Sequence, residues 1–166
     1  MSRETTVLRL ISQSADYTRR LGEYLGKLAE AGDVYLLVGG LGSGKTCLAQ
    51  GVARGLGVQQ YVSSPSFVLI REHQGRLPFY HVDFYRLDRI EEIADLGLDD
   101  YLSGEGVCVI EWADKGMAVL PEEHLLVTME YLSEDERAIT MEPRGGRYVS
   151  LVNALSSVLE REGWGV

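Results

Sequence analysis

A glycine-rich segment between a predicted strand and a predicted helix constrains this chain more than any other feature. The segment "YLLVGGLGSGKTCLAQGVARGL" spans residues 35–56 and carries the pattern G-x-x-x-x-G-K-T at positions 39–46. Its apolar beginning predicts a buried strand, and its end predicts a helix over residues 45–56. A strand, a glycine-rich turn and a helix in this order form the loop that holds the phosphates of a nucleotide. The segment therefore predicts an α/β fold with a phosphate site at the turn.

The residue types in this loop suit phosphate oxygens and a divalent cation. Glycines let the backbone turn sharply and bring its N–H groups close to anionic oxygens, and the helix dipole adds partial positive charge. We expect Lys45 to reach the β- and γ-phosphates and the Thr46 hydroxyl to ligate Mg²⁺. The residues expected to hold the phosphates are Leu41, Gly42, Ser43, Gly44, Lys45 and Thr46.

The rest of the chain predicts more strands and helices around this unit. Before the phosphate loop, we expect a strand over residues 5–11, an amphipathic helix from residue 14 that ends at Gly32, and a buried strand over 34–38. After the helix that follows the loop, we expect a hairpin turning at 74–75, a short acidic helix near 89–97 and a strand over 105–112. The chain then predicts an antiparallel pair turning at 133–135 and a last helix from residue 148. This order predicts a P-loop NTPase-like α/β fold, with a mixed, mostly parallel β-sheet, antiparallel hairpins and helices on the faces. We expect a single P-loop domain over residues 1–166.

Composition limits the partners. The net charge is −9, and no run of Lys and Arg offsets it, so strong independent binding of nucleic acid is not expected. The apolar runs are too short to span a bilayer, and the first residues lack the apolar core of a secretory signal, which predicts a cytoplasmic protein without membrane contact. The two cysteines, Cys47 and Cys108, form no metal-binding pattern.

The phosphate loop alone leaves the kind of protein open. The chain contains no Asn-Lys-x-Asp stretch of the kind that reads guanine, which disfavours a GTPase. Four arginines around the predicted hairpin are scattered and form no obvious kinase lid: Arg71, Arg76, Arg86 and Arg89. A small-molecule kinase and a non-hydrolysing ATP-sensing interaction module stay open as alternatives to an ATPase, because a phosphate loop guarantees binding geometry more firmly than catalysis.

Three further stretches make the pattern more specific. They are "SSPSF" at residues 63–67, "HVDFYR" at 81–86 and "IEW" at 110–112. Together with "GGLGSGKT" they resemble, in order and spacing, the TsaE (YjeE) family. The resemblance covers roughly residues 5–141, which is nearly the whole chain.

This resemblance implies a concrete function. TsaE proteins are bacterial ATPases needed for the threonylcarbamoyladenosine modification of tRNAs that read ANN codons, and they work with the TsaD–TsaB pair. The resemblance therefore implies ATP and Mg²⁺ as cofactors and the TsaD–TsaB complex as partner. The acidic charge of this chain fits a protein that leaves the tRNA to its partners.

Four residues of these stretches are candidates for catalysis or metal binding. Ser66 stands where the family has the threonine of S-P-T-F, and its hydroxyl is expected to reach Mg²⁺ or the γ-phosphate. Asp83 is expected at a strand end, where it binds Mg²⁺ directly or hydrogen-bonds to one of the ligands of Mg²⁺. Glu111 closes an apolar strand, where a charge is costly unless it is paired or bound to metal, so we assign it to Mg²⁺ or to the attacking water. Lys45 completes the catalytic set.

The remaining candidates are less defined by their own chemistry. Arg137 is expected to clamp the nucleotide phosphates. By resemblance to the family, Ala15 and Thr18 in the segment over residues 14–18 approach the adenine. The interpretations of His81 as a structural or a catalytic residue, and of Trp112 as a packing residue or a cover of the nucleotide, both stay open.

Overall fold

The structure is a computed structural model of the chain and describes residues 7–60, 62–63 and 69–165. The strands are β1 (Leu8–Ser12), β2 (Val34–Val38), β3 (Ile70–Gln74), β4 (Pro78–Asp83), β5 (Val107–Glu111), β6 (His124–Tyr131) and β7 (Arg137–Arg144). All of them belong to one seven-stranded sheet of order β1-β7-β6-β2-β5-β4-β3.

The centre of the sheet is parallel, and its edges are antiparallel. β2 lies between β5 and β6 and pairs in parallel with both, and β4 pairs in parallel with β5. The pairs β1–β7, β6–β7 and β3–β4 are antiparallel. Consequently β1, β2, β4, β5 and β6 point in one direction, and β3 and β7 point in the other. This topology confirms the predicted mixed, mostly parallel sheet with antiparallel hairpins.

Helices cover both faces of this sheet. They are α1 (Ala15–Leu28), α2 (Lys45–Gly55), α3 (Ile90–Ala94), α4 (Asp99–Leu102) and α5 (Gly146–Arg161), with two 3₁₀ turns at Ala113–Lys115 and Met117–Val119. Because neighbouring side chains of a strand point to opposite faces, Tyr35 and Leu37 of β2 pack in the core with α1, α2 and α5, whereas Leu36 packs in the core with α3. Among the described residues, the longest apolar stretch of any helix falls short of what a bilayer crossing needs.

Four glycines let α1 and α2 pack with their backbones in contact. Gly22 and Gly26 of α1 face Gly51 and Gly55 of α2. A Cβ atom placed on any of the four would lie 2.1–2.4 Å from a carbonyl oxygen of the other helix, closer than real Cβ atoms come. The α2 helix begins at the phosphate loop, so this close crossing fixes the loop relative to α1.

The predicted end of the first helix at Gly32 is wrong. The helix ends at Leu28, because one long-range contact and one local contact take over the groups that a further turn would use. The Leu28 carbonyl oxygen accepts a hydrogen bond from Arg147 Nη2 at 3.0 Å, and the Glu30 N–H donates to Asp33 Oδ2 at 3.0 Å. Gly32 instead occupies a turn before β2, with φ of +90°. The helix α4 was not predicted from the sequence.

Candidate functional site

A cavity of about 360 Å³ opens at the carboxyl ends of the three adjacent strands β2, β5 and β4. The glycine-rich loop leaves the end of β2, Glu111 is the last residue of β5, and Asp83 is the last residue of β4. Asp83 and Glu111 are register partners on neighbouring parallel strands, and Leu37 is the partner of Glu111 on β2. Ligands of open α/β sheets bind in this position. The cavity is lined by Leu41, Gly42, Ser43, Gly44, Lys45, Thr46, Cys47, Asp83, Tyr85, Glu111, Trp112 and Arg137.

The loop has the backbone shape that an anion site requires. A Cβ atom at Gly39 would lie 2.3 Å from the carbonyl oxygen of Met129 in β6, so only glycine lets the loop pass this close to the sheet. Gly44 adopts φ of +98°, in the left-handed region, and is the residue before the first turn of α2. The N-terminus of α2 therefore faces the cavity, where its unpaired N–H groups favour negative charge.

Lys45 is buried and held by the loop itself. Its Nζ donates hydrogen bonds to the carbonyl oxygens of Gly39 at 2.6 Å and Gly40 at 2.8 Å, and to Ser43 Oγ at 3.1 Å. The same ammonium group lies 4.1 Å from the centre of the Trp112 ring. Burial lowers the pKa of Lys45 below its ordinary value, against the nearby carboxylates, which raise it. Phosphate oxygens in the cavity would compete with these loop contacts for the charge.

Thr46, Glu111 and His81 form a chain of hydrogen bonds behind the loop. The Thr46 hydroxyl donates to Glu111 Oε1 at 2.9 Å, and His81 Nε2 lies 2.5 Å from Glu111 Oε2. Glu111 and His81 are 2% and 0% exposed, so neither exchanges these partners for water. Both carboxylate oxygens of Glu111 are therefore engaged within the protein.

The oxygen atoms around the cavity suit Mg²⁺. Thr46 gives its hydrogen to Glu111, so its oxygen lone pairs stay available, and the carboxylate of Asp83 lies at the same sheet edge, where its Oδ1 accepts from the Tyr85 N–H at 2.8 Å. Mg²⁺ prefers such oxygen ligands, and it takes most of its shell from water and substrate phosphates. The described residues contain no group of three or more His, Cys, Asp or Glu that would hold a metal alone. The donor set thus fits a cation that arrives with a nucleotide.

Comparison with known proteins gives this site a family. The family model of the threonylcarbamoyl adenosine biosynthesis protein TsaE matches residues 12–139. The chain belongs to the TsaE family. The TsaE protein of Bacillus subtilis is 43% identical over 140 residues, which cover 84% of this chain and 87% of that protein. The TsaE protein of Treponema pallidum is 42% identical over 134 residues, which cover 81% of this chain and 99% of that protein.

A solved structure supports the same assignment. The crystal structure of Bacillus subtilis YdiB superposes with a TM-score of 0.83 at 37% sequence identity. The superposition covers 95% of this chain and 99% of that one. The identification as a TsaE-family protein and the predicted fold class are both confirmed. Both curated relatives are named as tRNA threonylcarbamoyladenosine biosynthesis proteins.

Arg137 reaches the phosphate loop of this TsaE-family chain from the β6–β7 hairpin. Its Nε donates to the Gly42 carbonyl oxygen at 2.9 Å, and its guanidinium lies 4.6 Å from the centre of the Tyr131 ring. Its Nη1 donates to three carbonyl oxygens of the hairpin turn, those of Ser133, Glu134 and Glu136. The structure thus brings Arg137 to the cavity as a support of the loop, with a positive charge beside the expected phosphate position.

Three predicted residues do not line the cavity or lie outside the described residues. Ala15 is the first residue of α1 and is exposed, and neither it nor Thr18 is among the described residues that line the cavity. The Thr18 hydroxyl bonds Ser12 Oγ at 2.7 Å, while its methyl group packs near Gly44. Ser66 lies outside the described residues. The proposed contacts of Ala15 and Thr18 with adenine stay predictions.

Sequence reasoning left the role of the cavity residue Trp112 open and missed the cavity residue Tyr85. Trp112, the residue after Glu111, adopts a left-handed backbone with φ of +56°, and its ring packs 5.0 Å from that of Tyr85. Strained backbone of this kind is concentrated at functional sites. Tyr85 was not singled out, although it alternates with His81 and Asp83 in "HVDFYR". The partner of His81 was also not predictable, because nothing in one sequence tells which strand lies beside β4.

Proposed function

We propose that this chain binds Mg·ATP at the β2–α2 loop, hydrolyses it slowly to ADP and phosphate, and thereby acts on the TsaD–TsaB complex in tRNA threonylcarbamoyladenosine biosynthesis. We propose the cytoplasm as its location, because its family takes part in the modification of tRNA. The tRNA-modification part rests on membership of the TsaE family. The ATPase part rests on the cavity.

One observation carries the ATPase proposal. Lys45 and Thr46, the first two residues of α2, and Glu111, the last residue of β5, converge on one cavity. Lys45 would hold the β- and γ-phosphates, and Thr46 and Asp83 would ligate Mg²⁺. Bound Mg²⁺ would neutralise the charge that develops on the phosphate oxygens. Arg137 adds a second positive group at the rim of the cavity.

The arrangement of Glu111 supports slow hydrolysis by the isolated chain. A general base needs an oxygen within hydrogen-bond reach of the attacking water. Here Oε1 accepts from Thr46, and Oε2 lies against His81. An ATP-sensing module that binds without turnover is the second candidate, and the same engaged carboxylate favours it. A partner that rearranges the site would turn the sensor into an ATPase.

The partner assignment is supported by charge as well as by family. A chain with net charge −9 repels the phosphate backbone of tRNA. A role in tRNA modification is therefore better served by contact with another protein than with the tRNA. We propose the TsaD–TsaB complex as that protein.

The test is release of phosphate and ADP from Mg·ATP, with and without purified TsaD and TsaB. We expect slow release by the chain alone, equal amounts of both products, and faster release when the partners are added. Lys45→Ala removes the phosphate contact and should abolish both rates. Lys27→Ala is the matched control, because Lys27 is exposed in the last turn of α1.

Each failure has a distinct meaning. ATP binding without phosphate release, even with the partners present, would refute hydrolysis and leave the sensor. ADP in excess over phosphate would indicate transfer to an acceptor and favour a kinase. Equal activity of Lys45→Ala and Lys27→Ala would place the nucleotide elsewhere.

A further inference from the structure

His81 belongs to the hydrogen-bonded chain behind the phosphate loop but does not line the cavity. It is fully buried in β4, its Nε2 lies 2.5 Å from Glu111 Oε2, and Phe79 packs against it with ring centres 5.7 Å apart. Among the described residues, its other ring nitrogen, Nδ1, has no hydrogen-bond partner. All the polar interaction of this side chain within the described residues is therefore directed at one carboxylate oxygen.

We propose that His81 is a positioning residue that fixes Glu111, and through Glu111 the Thr46 hydroxyl, in the orientation needed for Mg²⁺. This proposal rests on the nucleotide site of the proposed function and assigns to it a residue that touches neither metal nor nucleotide.

The two hydrogen bonds to Glu111 have a defined direction. A carboxylate accepts hydrogen bonds and a hydroxyl can donate only one. The Thr46 hydroxyl gives its hydrogen to Glu111 Oε1, and the His81 ring gives the Nε2 hydrogen to Oε2. In this tautomer Nδ1 carries no hydrogen and needs no acceptor, in agreement with the absence of a partner for Nδ1 among the described residues.

The carboxylate of Glu111 orients the Thr46 hydroxyl. A hydroxyl whose hydrogen is committed to Glu111 directs its lone pairs elsewhere, and the Thr46 side chain lines the cavity. Glu111 keeps this orientation only while its carboxylate plane is fixed, and the bond from His81 fixes the second oxygen. Partners that orient a ligand in this way typically change metal affinity or activity about 10- to 100-fold when removed.

The experiment compares two amide replacements that differ in reach. The glutamine amide nitrogen of His81→Gln extends to about the position of Nε2 and retains a donor for Glu111. The asparagine amide of His81→Asn ends near the position of Nδ1 and does not reach Glu111. The control is His124→Asn, since His124 is also buried and is the first residue of β6, at the amino ends of the parallel strands and away from the cavity, where its Nδ1 contacts the Pro121 carbonyl oxygen.

ATP binding is measured by calorimetry, first in EDTA and then at increasing Mg²⁺ concentration. For His81→Asn we expect the Mg²⁺ concentration of half-maximal effect to rise about tenfold, with ATP affinity in EDTA unchanged. His81→Gln and His124→Asn should behave as the wild type. Circular dichroism and thermal unfolding confirm that each variant is folded.

The outcomes separate this proposal from the proposed function. If ATP binding by the wild type responds clearly to Mg²⁺, and His81→Asn and His81→Gln show the same Mg²⁺ dependence of ATP binding, the positioning role alone would be overturned. A wild type that binds Mg·ATP but does not hydrolyse it even with TsaD and TsaB present, together with the expected shift in His81→Asn, would support positioning and refute the ATPase. A wild type that binds no ATP would overturn both. If His81→Asn does not fold, a normal Mg²⁺ response of His81→Leu would likewise overturn the role.

Discussion

The close crossing of α1 and α2 predicts a large effect for the smallest possible change, Gly51→Ala. A Cβ atom at position 51 would lie 2.1 Å from the carbonyl oxygen of Arg19, whereas real Cβ contacts below 3.0 Å are essentially never seen. The two helices must therefore separate locally by about 0.9 Å, the difference between these distances. The oxygen is a backbone atom, so no flexible side chain can move aside.

Two effects of opposite sign decide the result. Alanine inside a helix is favoured over glycine by about 1 kcal/mol. Overpacking of a tight contact costs about 1–3 kcal/mol, and occasionally more. When the helices separate, a gap of about 0.5–1 Å also loses a quarter to a half of the energy of each dispersion contact along the crossing. Because the clash involves two backbones, we take the upper part of this range and expect a net loss of about 2 kcal/mol. For a chain of this size that lowers Tm by about 4–8 °C.

The assay is thermal unfolding of Gly51→Ala beside Gly146→Ala. Gly146 is the first residue of α5, and a Cβ atom there would meet nothing within 4 Å. This control should leave Tm unchanged or raise it slightly, because it has the helix gain without the clash. Equal Tm values for the two variants would refute the argument that the glycines set the distance between α1 and α2.

Three further predictions concern a buried ion pair, the cysteines and the loop. Arg147→Met removes the guanidinium that lies 2.7 Å from the buried carboxylate of Asp33 and leaves that carboxylate with neutral donors, the Tyr35 hydroxyl and the Glu30 N–H. Chemical unfolding should show a loss of about 3 kcal/mol in the free energy of unfolding, largely recovered in the double variant with Asp33→Asn. In native protein, iodoacetamide should modify Cys47, which lines the cavity, but not Cys108, since burial raises the pKa of the Cys108 thiol to about 12. Mg·ATP should slow the modification of Cys47. Equal labelling of both thiols by mass spectrometry would contradict this prediction. Gly39→Ala would place a Cβ atom 2.3 Å from the Met129 carbonyl oxygen of β6 and would displace the loop that is expected to hold the phosphates. Calorimetry should therefore show an ATP affinity at least about tenfold weaker. An unchanged affinity would mean that the loop tolerates this displacement.

Local patterns in the sequence predicted most of the fold. The strand, loop and helix around the phosphate site, both hairpins and the last helix follow from apolar periodicity and turn residues, which act between neighbours in the chain. The helix predicted over residues 45–56 ends at Gly55, and Gly57 follows the cap residue with φ of +81°, a local backbone conformation that glycine adopts readily. The end of α1 failed as a prediction because Arg147, far along the chain, binds the last carbonyl group.

The candidate site shows the same division between local and long-range information. The sequence alone determined that the β2–α2 loop is shaped for phosphate, because glycine spacing and the following Lys45 and Thr46 are local features. Only the tertiary structure decided that Glu111 lies against both Thr46 and His81. Strand order and register place these groups side by side, and they depend on the packing of the whole sheet, which no single stretch of sequence contains.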